Sequence, residues 1–277
     1  MQTPETFRRV EAAGFDVLFI SHAAAILQVD FPDALSELAD VLLNIQIPIE
    51  ELIGSGGGET QGTQRLRRAL SSLEWNKRSF VIQKTINGVP RESISHEVDH
   101  VRTVVSAQGE RSELALEIEW NNKDPFFDRD LENFKRLHAE AAISAGLIVT
   151  RGQSLQADIR GFVSRWAKEN QIRSFDDLAS KGVVPTPKQK AAIQKQVTRA
   201  RNPKDFVEAW VDKFVNDKFS TATTHWAKLM ERVSRGVGSP CPLVLIGIPS
   251  SMITFDEDPA VVSALLAEGS SEEDEQD

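Results

Sequence analysis

Three acids in this chain occupy positions from which they can meet. Asp99 lies in a run rich in β-branched residues, roughly Glu92 to Ser106, and Glu117 and Glu119 alternate along the apolar run Glu113 to Trp120. On a strand, residues two apart point to the same side. Glu117 and Glu119 are therefore predicted to share a face, and pairing of the two runs brings Asp99 close to Glu117. Ionised carboxylates gathered in this way repel, and one takes up a proton unless a metal or basic group compensates. Hard oxygen donors with no Cys or His cluster select Mg²⁺ or Mn²⁺ over zinc. A cation held by them binds a phosphate oxygen, orients a water and offsets charge during an in-line displacement. The competing reading is a solvated strand face whose acids pair with Arg102 or Lys123. A lone Glu-x-Glu would be read that way; the β-branched setting of Asp99 and the apolar strand around Glu117 favour the metal.

The elements that must position these acids are legible in outline. Phe80 to Ile86 alternates as a strand, Asn87-Gly88 is a hairpin turn, and Gln108-Gly109-Glu110 turns the chain into the strand carrying Glu117. Asp128 is predicted to cap a helix whose inner face is Leu131, Phe134, Leu137 and Ala141. Gly146 to Thr150 follows as a buried strand. The expectation is an α/β fold with a central mixed sheet flanked by helices.

Upstream, residues 5–20, 32–46 and Thr63 to Trp75 are predicted helices, with Pro32 at a helix start. The stretch Ser21 to Leu27 between the first two is expected to be buried, with His22 a packed, hydrogen-bonded side chain. Gly54 to Gly58 breaks the chain before the third helix and lacks the Gly-Lys-Ser/Thr ending of a P-loop. Downstream, residues 155–235 are predicted to be a helical elaboration with a loop over Lys181 to Pro187 and core tryptophans Trp166, Trp210 and Trp226. Leu243 to Ile248 is a closing strand. The predicted organisation is a single domain over 1–255, its core about 50–150 plus strand 242–248, followed by an acidic tail over 256–277.

Composition bounds the function. The 277 residues are 40% hydrophobic and 26% charged, with one cysteine, Cys241. That excludes an internal disulfide or a multi-cysteine zinc site and fits a reducing compartment. No apolar run approaches the ~20 residues of a membrane span, and Met1 to Arg9 lacks the apolar segment of a signal peptide, so a cytoplasmic protein is expected. The net charge of −9 is unevenly placed. The chain carries 41 acids and 32 bases, nine of the acids lie from Asp256 onward without a Lys or Arg, and 41 less nine leaves a neutral body over 1–255. Between Asp177 and Asp205 the charges are all basic, Lys188, Lys190, Lys195, Arg199 and Arg201 among them. These are candidates for phosphate contact. Ser220, Thr221, Thr223 and Thr224, ahead of a predicted helix, are candidates for contact with DNA bases or backbone.

Several blocks resemble a known family. They are Ser21-His22-Ala23, Ile26-Leu27, Asp30-Phe31-Pro32, Gly56-Gly57-Gly58-Glu59, and Glu117-x-Glu119-Trp120-Asn121-Asn122-Lys123-Asp124-Pro125-Phe126-Phe127-Asp128-Arg129-Asp130-Leu131. Together they look like type II restriction endonucleases of the BglII/BstYI group, BamHI-like members of the PD-(D/E)xK nuclease superfamily. The resemblance runs from about residue 15 to 155 and recurs at 243–248. It implies a restriction-endonuclease-like core and a homodimer that encloses a short palindromic site in double-stranded DNA. Such an enzyme cuts both strands with Mg²⁺, for which Mn²⁺ substitutes, and leaves 5′-phosphate and 3′-hydroxyl ends. A cognate DNA methyltransferase acting on the same site would accompany it. Carried over residue by residue, Asp99 matches the metal-binding Asp and Glu117 the second ligand. Glu119 stands where Lys is usual, as a third ligand or a proton acceptor. Lys123 is a candidate for the missing cation, and Glu59 for a helix-borne acid that supports the site. Two alternatives stay open: a repair or recombination nuclease of the same superfamily without sequence specificity, and a catalytically inactive DNA-binding protein.

Overall fold

The computed structural model describes residues 3–54, 61–105 and 109–255. Helix α1 (Glu5–Ala12) ends where Gly14 takes φ +95°, and the chain continues as strand β1 (Asp16–Ile20). The helix expected over 5–20 is thus two elements. Gly14 adopts a left-handed conformation that stops the helix, and Asp16 to Ile20 pairs with a strand more than 220 residues away. Helices α2 (Ala23–Asp30) and α3 (Pro32–Leu43) follow, with Pro32 in the first turn of α3. Of the stretch 21–27, Ala23, Ala24 and Leu27 are buried. His22 is not the packed histidine expected: it is exposed, at φ +66°, in the tight turn between β1 and α2. Strand β2 (Ile47–Pro48), α4 (Ile49–Gly54) and α5 (Gln61–Ser72) lead to the main hairpin.

That hairpin is β3 (Asn76–Ile86) and β4 (Val89–Val105), joined by Asn87 and Gly88, both at positive φ. Strand β5 (Arg111–Glu119) pairs antiparallel with β4. Helix α6 (Phe126–Ala139) then crosses over to β6 (Ala145–Arg151), which lies parallel to β5. Helices α7 (Gln153–Glu169), α8 (Phe175–Ser180), α9 (Pro187–Val197), α10 (Phe206–Lys218) and α11 (Trp226–Ser234) precede β7 (Leu243–Ile248) and the short β8 (Ile253–Thr254). The main sheet runs β1-β7-β6-β5-β4-β3, mixed and flanked by helices, so the chain has the α/β architecture anticipated. Among the described residues no helix is long and apolar enough to cross a membrane.

Alternation along the sheet splits the core in two. Leu114, Leu116, Leu147 and Val149 join Trp166, Ile193 and Trp210 on one side. Ala115, Ile148 and Leu245 face Phe127, Leu131 and Phe134 of α6 on the other. Helix α6 begins at Phe126, so Asp128 lies inside its first turn rather than at its cap, because Pro125 already presets the backbone for the helix. Asp128 instead accepts a hydrogen bond from Arg232 Nε at 2.9 Å, and Arg232 Nη2 donates to Asp124 at 3.0 Å, tying α11 to the start of α6. The helix sits so close to β6 that a Cβ on Gly146 would lie 2.3 Å from Cδ2 of Phe134. Gly146→Ala is therefore expected to destabilise the protein by roughly 1–3 kcal/mol, read as a shift in the urea midpoint. An unchanged midpoint would mean that Phe134 can move aside.

Candidate active site

The acids are brought together by a break in strand register. Asn76 pairs with Val101 and Arg78 with Val98, so β4 carries one more residue than β3 over this step. A bulge of this kind re-aims a side chain and is frequent beside active sites. It contains Asp99 and His100. On the other side, His100 pairs with Leu116 and Val101 with Ala115, and the same register carried one residue further sets Asp99 abreast of Glu117. Glu117 and Glu119 follow Ala115 at two-residue steps, and both are buried on the α6 side of the sheet. A fourth acid, absent from the set expected from sequence, completes the group. Asp130 lies three residues after Phe127 and four before Phe134, on the inward face of α6, and is 1% exposed. That helical spacing was the signal that could have found it.

The cluster is electrostatically strained. Burial, then the charges of Asp130, Asp99 and Glu119, push the Glu117 carboxyl up to about 10. Burial and then Asp130 push Glu119 up to about 8, against an opposing hydrogen bond from Asn122 Nδ2 at 2.7 Å. Asp130 is itself raised by burial. Glu119 and Asp130 stand close enough for each to bear on the other's titration, and burial raises both. The charge that answers these acids is Arg129. Its Nε donates to Asp130 Oδ1 at 2.8 Å, its Nη2 lies 3.4 Å from Glu119 Oε1, and its guanidinium stacks over Phe126.

Among the described residues no group of three or more His, Cys, Asp or Glu stands ready to hold a metal as placed. Glu119 is turned toward Asn122 and Arg129. The donor chemistry nevertheless fits a hard divalent cation: Asp99, Glu117, Glu119 and Asp130 offer only carboxylate oxygens, and Asp130 Oδ2 is buried with no hydrogen-bond partner among the described residues.

Lys123 stands apart from this cluster. Strand β5 ends at Glu119, and Lys123 is exposed, bridged to Thr223, and without an ion pair among the described residues. Arg102 is engaged elsewhere, with Glu37 and Glu74, so neither cation of the surface-pairing alternative reaches the acids. Glu59 lies outside the described residues. Lys188, Lys190 and Lys195 on α9 and Arg199 and Arg201 after it are all exposed and form no ion pair among the described residues.

The segment Ser220 to Thr224 is fastened to the chain just past the end of β5. Thr224 N donates to Asn122 O at 2.8 Å, and Asp124 N to Ala222 O at 3.0 Å. Arg151, wholly buried and without a carboxylate partner among the described residues, clamps both sides. Its Nε donates to Trp120 O at 2.8 Å and its Nη2 to Thr224 O at 2.7 Å and Thr223 Oγ1 at 2.6 Å. Desolvation lowers its pKa to about 9, which leaves it charged at neutral pH. Beside it, Thr150 Oγ1 donates to Glu119 O at 2.7 Å. Thr224 is buried, its hydroxyl accepting from Asn122 N–H, so it holds the loop in place. Thr221 is exposed, and Ser220 and Thr223 are half-buried.

A half-buried acid on a bulged hairpin strand and buried acids on its neighbour, with a crossover helix closing over them, suit phosphodiester chemistry, and comparison with known proteins supplies the class. A search of curated proteins found no match. The model of the family described as "Restriction endonuclease BglII/BglIII" matches residues 15–248, which is most of the chain. Restriction endonucleases of this kind typically depend on a divalent metal. The chain belongs to the BglII/BglIII restriction endonuclease family and is a type II site-specific deoxyribonuclease that acts on double-stranded DNA.

Proposed function

We propose that the enzyme uses Mg²⁺, with Mn²⁺ able to substitute, to cut a short palindromic site and leave 5′-phosphate and 3′-hydroxyl ends. The observation that carries this reading is the group of buried acids with raised carboxyls, Glu117 and Glu119 on β5 and Asp130 on α6, with Asp99 of β4 beside them, which calls for a cation. Asp99, Glu117 and Glu119 would hold the metal. When bound, it offsets the carboxylate charge and polarises the scissile phosphate. Glu119, held by Asn122 and Arg129, accepts the proton of the attacking water in its ionised form. Arg129 keeps positive charge beside the acids at the position a lysine would otherwise serve. Lys188, Lys190, Lys195, Arg199 and Arg201 contact phosphates, and Ser220, Thr221 and Thr223 line the substrate side of the fastened loop. The reading treats 1–255 as one nuclease domain, working as a homodimer in the cytoplasm with a cognate methyltransferase that protects the host site.

A plasmid digest with purified protein and Mg²⁺ tests it. Discrete fragments are expected, whose ends accept ligation without added kinase; smears or nicks would favour a non-specific nuclease. Within that assay Arg129→Ala is expected to slow cleavage on the order of 10²-fold, and Lys123→Ala to stay within a few-fold of the parent. The reverse ranking would return the cationic role to Lys123.

A further inference from the structure

A cavity of about 650 Å³ opens between the helices of the elaboration and the end of β5. Val183, Ile193, Trp210 and Phe214 form its apolar walls, and Asn121 and Thr223 close it on the side of the sheet. Asn121 is two residues past Glu119 and Thr223 is bridged to Lys123, so the cavity borders the strand that carries the acids. Its volume lies within the roughly 300–1,000 Å³ of small-ligand sites.

Its lining says what would fill it. Asn121 Oδ1 is buried with no hydrogen-bond donor among the described residues, a costly state that an occupant bearing an N–H relieves. Phe214 offers a half-exposed ring, steadied by the Lys218 ammonium 5.2 Å from its centroid. A flat aromatic partner stacks on such a ring. The charges around the cavity are already engaged. Lys213 and Asp217 pair at 2.6 Å, and Lys218 Nζ donates to Leu52 O at 2.9 Å. The cavity therefore suits a flat, uncharged heterocycle with N–H donors better than a phosphate.

We propose that this cavity receives one base of the DNA substrate, unstacked from the duplex as the cleavage site binds. The inference rests on the reading of the chain as a DNA-cutting enzyme. Once the cut site is mapped from fragment ends, duplexes carrying 2-aminopurine or pyrrolocytosine at each position in turn are bound to the intact protein in Ca²⁺ buffer. Emission is expected to rise several-fold at one position and its symmetry mate. Val183→Trp, which fills the cavity, should lose the rise and slow cleavage, and regain cleavage on a duplex that is abasic at that position. Phe214→Ala should lower the rise. Discrete cleavage with every probe position still quenched at saturation overturns this proposal and leaves the cleavage reading intact. A protein that neither binds nor cuts duplex DNA overturns both.

Discussion

Glu117→Gln is expected to abolish cleavage, about 10³-fold or more, while making the metal-free protein more stable. The two effects have one cause. Glu117 has its carboxyl raised from 4.5 to about 10 by burial and by Asp130, Asp99 and Glu119. The folded state keeps a proton that the unfolded chain releases above pH 4.5, so this group erodes stability progressively as pH rises from 4.5 toward 10. Glutamine removes that loss, a gain on the order of 2–4 kcal/mol at pH 8. His100 works in the opposite sense. Burial lowers it from 6.5 to about 4, so its contribution is lost as pH falls from 6.5 toward 4. Glu119, raised to about 8, adds its own loss to that of Glu117, so His100 offsets only part of the carboxyl loss between pH 4.5 and 6.5, and above that window the losses of Glu117 and Glu119 run without a gain from His100. Thermal melts of metal-free protein should therefore decline above about pH 6.5, and Glu117→Gln should flatten the decline. Added Mg²⁺ competes with the same protons and should raise the melting temperature more at pH 8.5 than at pH 6. A Glu117→Gln variant that still cuts DNA would remove this residue from the site.

Arg151→Met should be the most damaging substitution outside the acids. The side chain is wholly buried, and its removal strips donors from Trp120 O and Thr224 O and leaves Thr223 Oγ1 only its bond to Ser220 O. Each buried acceptor left unsatisfied costs about 1–3 kcal/mol, so a total of roughly 3–5 kcal/mol is expected, a large share of a typical domain's 5–15 kcal/mol. Arg151→Lys keeps the charge but cannot reach both backbones with a fork, and should recover only part of the loss. At a temperature where both variants remain folded, cleavage should fall by about 10²-fold, because the Ser220–Thr224 segment is held less firmly against the strand that presents Glu119. Denaturant midpoints and single-turnover rates at that temperature separate the two effects. A stable variant with parental rates would show that Arg151 fills space and nothing more.

Local pattern carried much of the fold. Asn87-Gly88, the alternation of β5, and the apolar runs at 145–151 and 243–248 each announce their state within a few residues, because turn chemistry and side-chain period are local. The same logic misread 13–20. Asp16 to Ile20 is half-buried along its whole length, and it becomes a strand only because β7 offers it an edge. His22 was misplaced for a related reason: its apolar neighbours are buried, and only the backbone turn after β1 turns it outward.

The sequence by itself determined that Glu117 and Glu119 share a face, that an acid on the preceding strand could join them, and that the block from Trp120 to Leu131 belongs with a nuclease core. Residue type and a period of two were sufficient for the acids; the block spoke through its resemblance to a known family. Tertiary structure alone decided the rest. The bulge that carries Asp99 depends on a register between strands that no local pattern encodes. The arrival of Asp130 and Arg129 depends on the angle at which α6 crosses the sheet, set by its fit against Gly146. The substitution of Arg129 for Lys123 as the cation beside Glu119 follows from the same crossing. Contacts between residues far apart in the chain arise from packing, and packing is a property of the folded whole.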